Sequence, residues 1–325
     1  MAGLYLGWLD GHAEGISPDN NTGRSLLADM AWTAAIGRSH LEHRAGVVFE
    51  DALTLRDGLS RVADNGCDPR SQWNGKPAFV YVEEAGNWAN RGRVLYESEP
   101  VARAVLDRCE AVFREERGIS LLDTIAGNAA AADDPVLTQT AAYALQCAVT
   151  ALWSSVGISP GLACASGTGG IAAAQVAGVF DLEVGTLLAA RRGELTGTDG
   201  RKLAAEDVES FLGDVSFAPA QIPLRDSETG QTIQSGATPD RSTWSAGVFR
   251  RAECSGASAT LADLNAVAVL EVRPGSERDY VRSVAQAYES GTAVNFFGLF
   301  AGEERRRISV PGYPFQRRSF WFNGS

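Results

Sequence analysis

The sequence predicts an α/β fold. Short apolar runs of strand length alternate along the chain with longer segments whose apolar residues recur at helical spacing. That alternation points to strands covered by helices. The 325 residues are 45% apolar and 21% charged, a balance that supports a sizeable core and excludes global disorder. At roughly 100–200 residues per domain, the length accommodates two or three structural units.

Residues 22–36 read as a short amphipathic helix, with Leu26, Leu27, Met30 and Ala34 at helical spacing. Residues 37–44 are a polar break. Residues 45–49 read as a strand and residues 53–62 as a second helix. Residues 64–71 are rich in turn formers and mark a unit boundary. Residues 77–82 form a short apolar strand. Residues 100–117 form a helix with Val101, Val105, Cys109 and Val112 on one face. Residues 138–156 are apolar on most sides, the pattern of a buried helix. Residues 161–165 are a strand candidate. A helix starts at residues 171–178, after a glycine cluster, and another spans 182–193. Residues 194–207 are polar without a clear period. Residues 219–224 and 266–272 read as strands, and 278–288 as a helix. The tail, 305–323, is basic and aromatic. No internal repeat appears.

Lys and Arg number 29 against 40 Asp and Glu, a net charge of −11. An acidic surface repels phosphate backbones and anionic lipid, so neither nucleic acid nor a membrane is an expected partner. No run of about 18 apolar residues is present to span a bilayer. The N-terminus has no basic region before an apolar stretch, so no signal peptide is expected and the location read is cytoplasmic. The ends, Met1-Ala-Gly3 and Gly324-Ser325, read as additions to a segment of a longer protein. Cys67, Cys109, Cys147, Cys164 and Cys254 are odd in number and lack C-x-x-C spacing. They read as reduced thiols, with no metal site. The three histidines, His12, His40 and His43, all lie in the first 43 residues.

Three motifs stand against bland alternatives. Gly167-Thr-Gly169-Gly-Ile-Ala172 reads G-x-G-x-x-A, a dinucleotide-loop pattern. That loop needs an acid about 20 residues on. Asp181 and Glu183 come early and Glu194 late, so no cofactor is expected. Gly157-Ile-Ser159-Pro-Gly161 reads G-x-S-x-G, a nucleophile elbow. The oxyanion hole there uses the N–H of the next residue, and Pro160 has none. A turn is the better reading. Arg305, Arg306, Arg307, Arg317 and Arg318, with Phe315, Phe320, Trp321 and Phe322, could stack on single strands. The acidic remainder favours a segment clamped onto a neighbouring domain.

Taken together and in order, the pieces resemble the acyltransferase region of a modular type I polyketide synthase. Trp32-Thr-Ala-Ala-Ile-Gly-Arg-Ser-His-Leu-Glu-His-Arg44 resembles the linker between ketosynthase and acyltransferase. Leu95-Tyr-Glu-Ser-Glu-Pro100, Ala144-Leu-Gln146, Ala151-Leu-Trp153 and Ile171-Ala-Ala-Ala-Gln-Val-Ala-Gly-Val-Phe180 resemble the acyltransferase core. Ile222-Pro-Leu-Arg-Asp-Ser-Glu-Thr-Gly230 and Leu270-Glu-Val-Arg-Pro-Gly275 resemble its later landmarks. Val310-Pro-Gly-Tyr-Pro-Phe-Gln-Arg-Arg-Ser-Phe-Trp321 resembles the post-acyltransferase linker. The resemblance implies a small α/β linker unit at 1–75, a hydrolase-like core with a central parallel sheet at 76–278, and the second linker at 279–325.

The departures from that family carry the functional expectation. Active members have a G-H-S-x-G elbow before the I-A-A-A helix. This chain has Ala165-Ser166-Gly167-Thr168-Gly169. The nucleophile position is Gly167 and the preceding His position is Ser166. At the first Gln of the family's G-Q-G-x-Q loop stands Glu84, whose carboxylate would repel a developing oxyanion. The general-base His has no counterpart, since no His follows His43. Only residues 193–217 fill the place of a ferredoxin-like subdomain. Arg192 matches the arginine that pairs with the malonyl carboxylate and reads as a relic or a structural ion-pair residue.

The resemblance therefore implies a truncated, catalytically silent pseudo-acyltransferase with both linkers, without catalytic, cofactor or metal residues. Its partners would be the ketosynthase and acyl carrier protein of the same synthase, with the acyl group supplied by another acyltransferase, one acting in trans among them. The rival readings are a docking surface for a discrete acyltransferase or carrier protein, a residual enzyme using Ser166 or Cys164, and a nucleotide-binding domain.

Overall fold

Five short strands form one sheet in the order β4-β3-β2-β1-β5, where β1 is Ala78–Tyr81, β2 Leu162–Ala165, β3 Leu224–Asp226, β4 Thr232–Ile233 and β5 Val269–Val272. The computed structural model describes residues 1–13, 16, 21–66, 76–81, 89–127, 134–165, 167–197, 212–213, 215–248, 269–272 and 277–314. Strand β1 pairs in parallel with β2 and β5, and β2 in parallel with β3. Among the described strands only β4 runs antiparallel, on the β3 edge. All four residues of β1 are buried, as expected of a parallel strand covered on both faces. Tyr81 pairs with Ala165 and with Val272, so the carboxyl ends of β1, β2 and β5 are level. The expected α/β class with a central parallel sheet is therefore what forms.

The helices over this sheet follow local signals. Helix α5, Pro100–Arg117, has proline in its first turn and ends at Gly118, which takes the left-handed conformation. Helix α7, Pro135–Ser155, also starts on proline, and the Asp134 carboxylate accepts from the Val136 N–H. Thirteen of its residues are buried, as its apolar pattern predicted. Helix α9, Leu182–Gly197, packs against α7 and α5. The aromatic rings of Phe79, Trp153 and Tyr280 pack in sequence, and the Tyr280 hydroxyl donates to the Leu152 carbonyl at 3.0 Å.

The sheet belongs to a compact unit of Trp73–Tyr280 and Thr292–Leu299. The other unit comprises Met1–Gln72, Val281–Gly291 and Phe300–Ser325. It contains α1 (Ala2–Gly11), α2 (Asn21–Ile36) and α3 (Ala52–Asn65). Its core is Leu9, Leu27, Met30, Leu55, Leu59 and Val310. The later chain is strapped along α2. Arg306 N–H donates to the buried Asp29 carboxylate at 2.9 Å, Ile308 N–H to the Thr33 hydroxyl at 3.1 Å, and Arg38 to the Val310 carbonyl at 2.5 Å. The tail aromatics Phe315, Phe320, Trp321 and Phe322 lie outside the described residues.

Two predicted strands are corrected. Residues 45–49 are irregular and have no strand pairing among the described residues. Val47 and Phe49 pack on the helical core instead, and Gly46 N–H donates to the Glu289 side chain at 2.9 Å. Residues 219–223 are also irregular, and the strand begins at Leu224. Pro219 and Pro223 have no N–H to give to a ladder. Ala218 and Gln221 bond the carbonyls of Val179 and Ala177 instead, at 2.8 and 2.7 Å. The helices at Ala2–Gly11, Ala89–Ser98, Leu121–Ile125, Arg241–Val248 and Phe296–Leu299, and strand β4, were not predicted.

One buried charge holds the α5–α6 junction, where α6 is Leu121–Ile125. The Glu110 carboxylate accepts from the N–H groups of Leu121 and Leu122 at 2.7 and 3.0 Å, from the Ser120 hydroxyl at 3.0 Å and from Arg114 Nε at 2.7 Å. Anionic acceptors at a helix N-terminus are favourable, and charge-assisted bonds are the stronger kind. Replacing Glu110 with Ala leaves buried donors without an acceptor. We expect a loss of about 2–4 kcal/mol in chemical denaturation, with Glu110→Gln losing less.

Candidate functional site

The candidate site is the turn from β2 into α8, where α8 is Gly169–Val176. Strand, sharp turn and helix follow one another within eight residues of the chain, the geometry of a nucleophile elbow. At its apex Gly167 has φ +55°, in the left-handed region. A β-carbon there is strained, and glycine adopts the conformation freely. Gly170 N–H closes the turn on the Gly167 carbonyl at 3.0 Å.

The glycine after the apex is fixed by packing. A β-carbon at Gly169 would lie 2.5 Å from the Tyr81 carbonyl oxygen and 2.9 Å from its carbonyl carbon. One at Gly170 would lie 2.8 Å from a Val248 methyl. These glycines let α8 press against the end of β1 and against the Arg241–Val248 helix. The G-x-G-x-x-A pattern thus serves close packing at Gly169 and Gly170.

Arg192 rises from α9 into the same place and is 1% exposed. Its Nε donates to the Val248 carbonyl at 2.8 Å. Its Nη1 donates to Gln139 Oε1 of α7 at 2.8 Å and to Thr168 Oγ1 at 2.5 Å. Thr168 precedes α8 but makes no side-chain cap to it. Arg192 therefore ties α7, α9, the elbow and the Arg241–Val248 helix together.

The structure brings the predicted residues Gly167 and Arg192 to neighbouring positions, bridged by Thr168. Ser166 and Glu84 lie outside the described residues. Thr168, Gln139 and Val248 were not foreseen. Thr168 could have been noticed as the neighbour of the apex, but nothing in the spacing of Gln139 or Val248 pointed here. Ser159 is exposed in the turn between α7 and β2, as expected. Cys164 is buried in β2, and burial pushes its thiol up to about 11. Burial likewise raises Cys109 to about 11 and Cys147 well above the usual thiol range. Among the described residues, no group of three or more His, Cys, Asp or Glu is placed to hold a metal, and no helix is long and apolar enough to cross a membrane.

The elbow and its parallel sheet can be set beside known proteins. Residues 78–209 match the family described as acyl transferase domain. The chain is 29% identical over 313 residues to 5-methyl-1-naphthoate synthase of Streptomyces sahachiroi, covering 90% of this chain and 16% of that protein. The chain is thus similar to acyl transferase domains over residues 78–209. Spectinabilin polyketide synthase system protein NorC of Streptomyces orinoci is also 29% identical, over 331 residues, covering 90% of this chain and 14% of that protein. The chain thus spans about a sixth or less of the length of these relatives. Among solved structures, its fold matches the acyl transferase domain of ZmaA with a TM-score of 0.75 at 16% identity, over 96% of this chain and 95% of that one. It also matches the acyltransferase domain from module 8 of the salinomycin polyketide synthase, with a TM-score of 0.69 at 18% identity, over 91% and 94%.

Two outcomes follow for the sheet unit. Gly169→Ala forces a β-carbon into the Tyr81 backbone, and we expect a loss of about 1–3 kcal/mol by chemical denaturation. A thiol that stays protonated is a poor nucleophile. Peptide-resolved iodoacetamide labelling at pH 8 is expected to modify Cys109, Cys147 and Cys164 at least about a hundredfold more slowly in the native chain than in the denatured one.

Proposed function

We propose that this chain is a non-catalytic, truncated acyltransferase-like domain that preserves the architecture of a polyketide synthase module. The observation that carries the proposal is Gly167 at the left-handed apex of the elbow. The residue placed to attack an acyl thioester has no side chain there. Nucleophile and base act as a unit, and the loss of either costs orders of magnitude in rate. The base is missing as well: all three histidines lie in the first 43 residues, within the helical unit. Ser166 and Glu84 are read as degenerate forms of the His before the nucleophile and of the oxyanion-hole Gln. Arg192 is read as a relic of carboxylate binding. Residues 1–75 and 279–325 are assigned as the linkers flanking the core at 76–278.

The chain that returns after α9 supports this reading. Leu212 is buried. Phe217 packs edge-on against Trp244, and Phe180 packs against both. Arg241 lies over the Phe217 ring. An aromatic cluster therefore closes the core where the resemblance places a further subdomain. On this reading the ketosynthase and acyl carrier protein of the same synthase are the neighbours. The acyl group comes from another acyltransferase, a discrete one acting in trans among the sources.

Intact-protein mass spectrometry after incubation with malonyl-, methylmalonyl- and acetyl-CoA tests the proposal. We expect no adduct under conditions that label an active acyltransferase domain completely. A stable acyl adduct would overturn the reading, and peptide mapping would then separate Ser166 from Ser159 and Cys164. Gly167→Ser is expected to remain unlabelled as well, because it restores a hydroxyl without a base.

A further inference from the structure

In the helical unit, the segment strapped along α2 is held by its main chain, and the bonds fall at alternate residues. Arg306 N–H donates to the Asp29 carboxylate at 2.9 Å, and Ile308 N–H to the Thr33 hydroxyl at 3.1 Å. The same hydroxyl donates to the Arg306 carbonyl at 3.5 Å, and Arg38 donates to the Val310 carbonyl at 2.5 Å. From α1, Trp8 Nε1 donates to the Ser309 carbonyl at 3.1 Å. Residues 306, 308 and 310 bond one neighbour and residue 309 bonds another, which is the alternation of an extended strand. The repeats also match. Residues four apart on a helix are separated by about 6 Å along its axis, and two residues of extended chain span about 6.6 Å. Asp29 and Thr33 are four apart, so each meets one of two successive amides on the same side. Helix α2 thus takes the part of a neighbouring strand, with side chains in place of a backbone ladder.

We propose that α1 and α2 form a groove that recognises an extended segment by its main chain, and that residues 306–310 are its resident, exchangeable ligand. Demand on side chains is confined to two positions. Val310 is buried in the helical core, and Ile308 packs against that core. Arg306, Arg307 and Ser309 are exposed. The partner class is therefore an extended segment with apolar side chains two residues apart. Asp29 and Thr33 are 7% and 2% exposed. A segment without the two N–H groups would leave these buried acceptors unmet, which is costly. The inference concerns the helical unit alone and does not depend on whether the elbow can be acylated.

The test uses the whole chain with a specific protease site inserted in the exposed turn at residues 301–304. The uncut insertion chain is expected to unfold at the same midpoint as the wild type. After cutting, a fluorescent synthetic peptide of residues 305–325 is added in excess and its uptake is read by anisotropy. The cut chain is expected to stay folded and to take up the peptide saturably. N-methylation of the peptide at Arg306 or at Ile308 removes one bonded N–H and is expected to weaken binding about tenfold. N-methylation at Arg307, whose amide falls on the other side of the alternation, is the control for bulk and is expected to change little. Ile308→Ala and Val310→Ala peptides are expected to lose about tenfold or more, and Arg306→Ala and Ser309→Ala to stay within about threefold. The proposal is overturned if the cut chain unfolds, since the segment is then part of the fold and not a ligand. It is equally overturned if no peptide is taken up, or if methylation at 306 and 308 matters no more than at 307. Should the insertion itself disturb folding, hydrogen exchange of the intact Thr33→Val chain decides. Faster exchange of the Ile308 amide than in the wild type, with Arg307 unchanged, supports main-chain recognition. Equal effects on both amides, or none, defeat it.

Discussion

The candidate site depends on how closely α8 approaches the carboxyl end of β1. At Gly169 the helix and the Tyr81 backbone are separated by less than one β-carbon requires. That approach fixes the pitch of the elbow and the direction in which α8 leaves the sheet. It also sets the place of Thr168, and through it of Arg192. Level strand ends supply the other half of the constraint, since Tyr81, Ala165 and Val272 share one register. Ligands of open α/β sheets bind beyond the carboxyl ends of the strands, so the packing that shapes the sheet also shapes the site.

A buried guanidinium is costly unless its donors are satisfied. Here satisfaction comes from a hydroxyl, an amide and a main-chain carbonyl, each from a different part of the core. Arg192 thus works as a junction between elements that are distant in sequence. A side chain suited to holding a substrate anion is equally suited to holding a fold together, because the same fork of donors does both. Which use prevails is set by the acceptors around it.

The helical unit shows a related economy. Its core closes only when Val310 joins residues from α1, α2 and α3. Asp29 and Thr33 of α2 offer side-chain partners to the main chain of Arg306 and Ile308. A segment without strand partners satisfies its backbone in this way, as burial requires.

Much of the core architecture was legible in the residues. The apolar strand at β1 and the buried α7 announce themselves through local pattern, while the elbow between β2 and α8 was placed by the family resemblance. The absence of histidine beyond residue 43 is likewise a plain property of the chain. Irregular segments misled, because apolar character alone does not say whether a neighbour strand exists. Residues 45–49 pack on helices, and the prolines at 219 and 223 move β3 to a later start. What only the tertiary structure decided is the company of Arg192. Gln139, Thr168 and Val248 come from separate elements, and no local rule of spacing links residues that meet only when α7, α8 and α9 pack together.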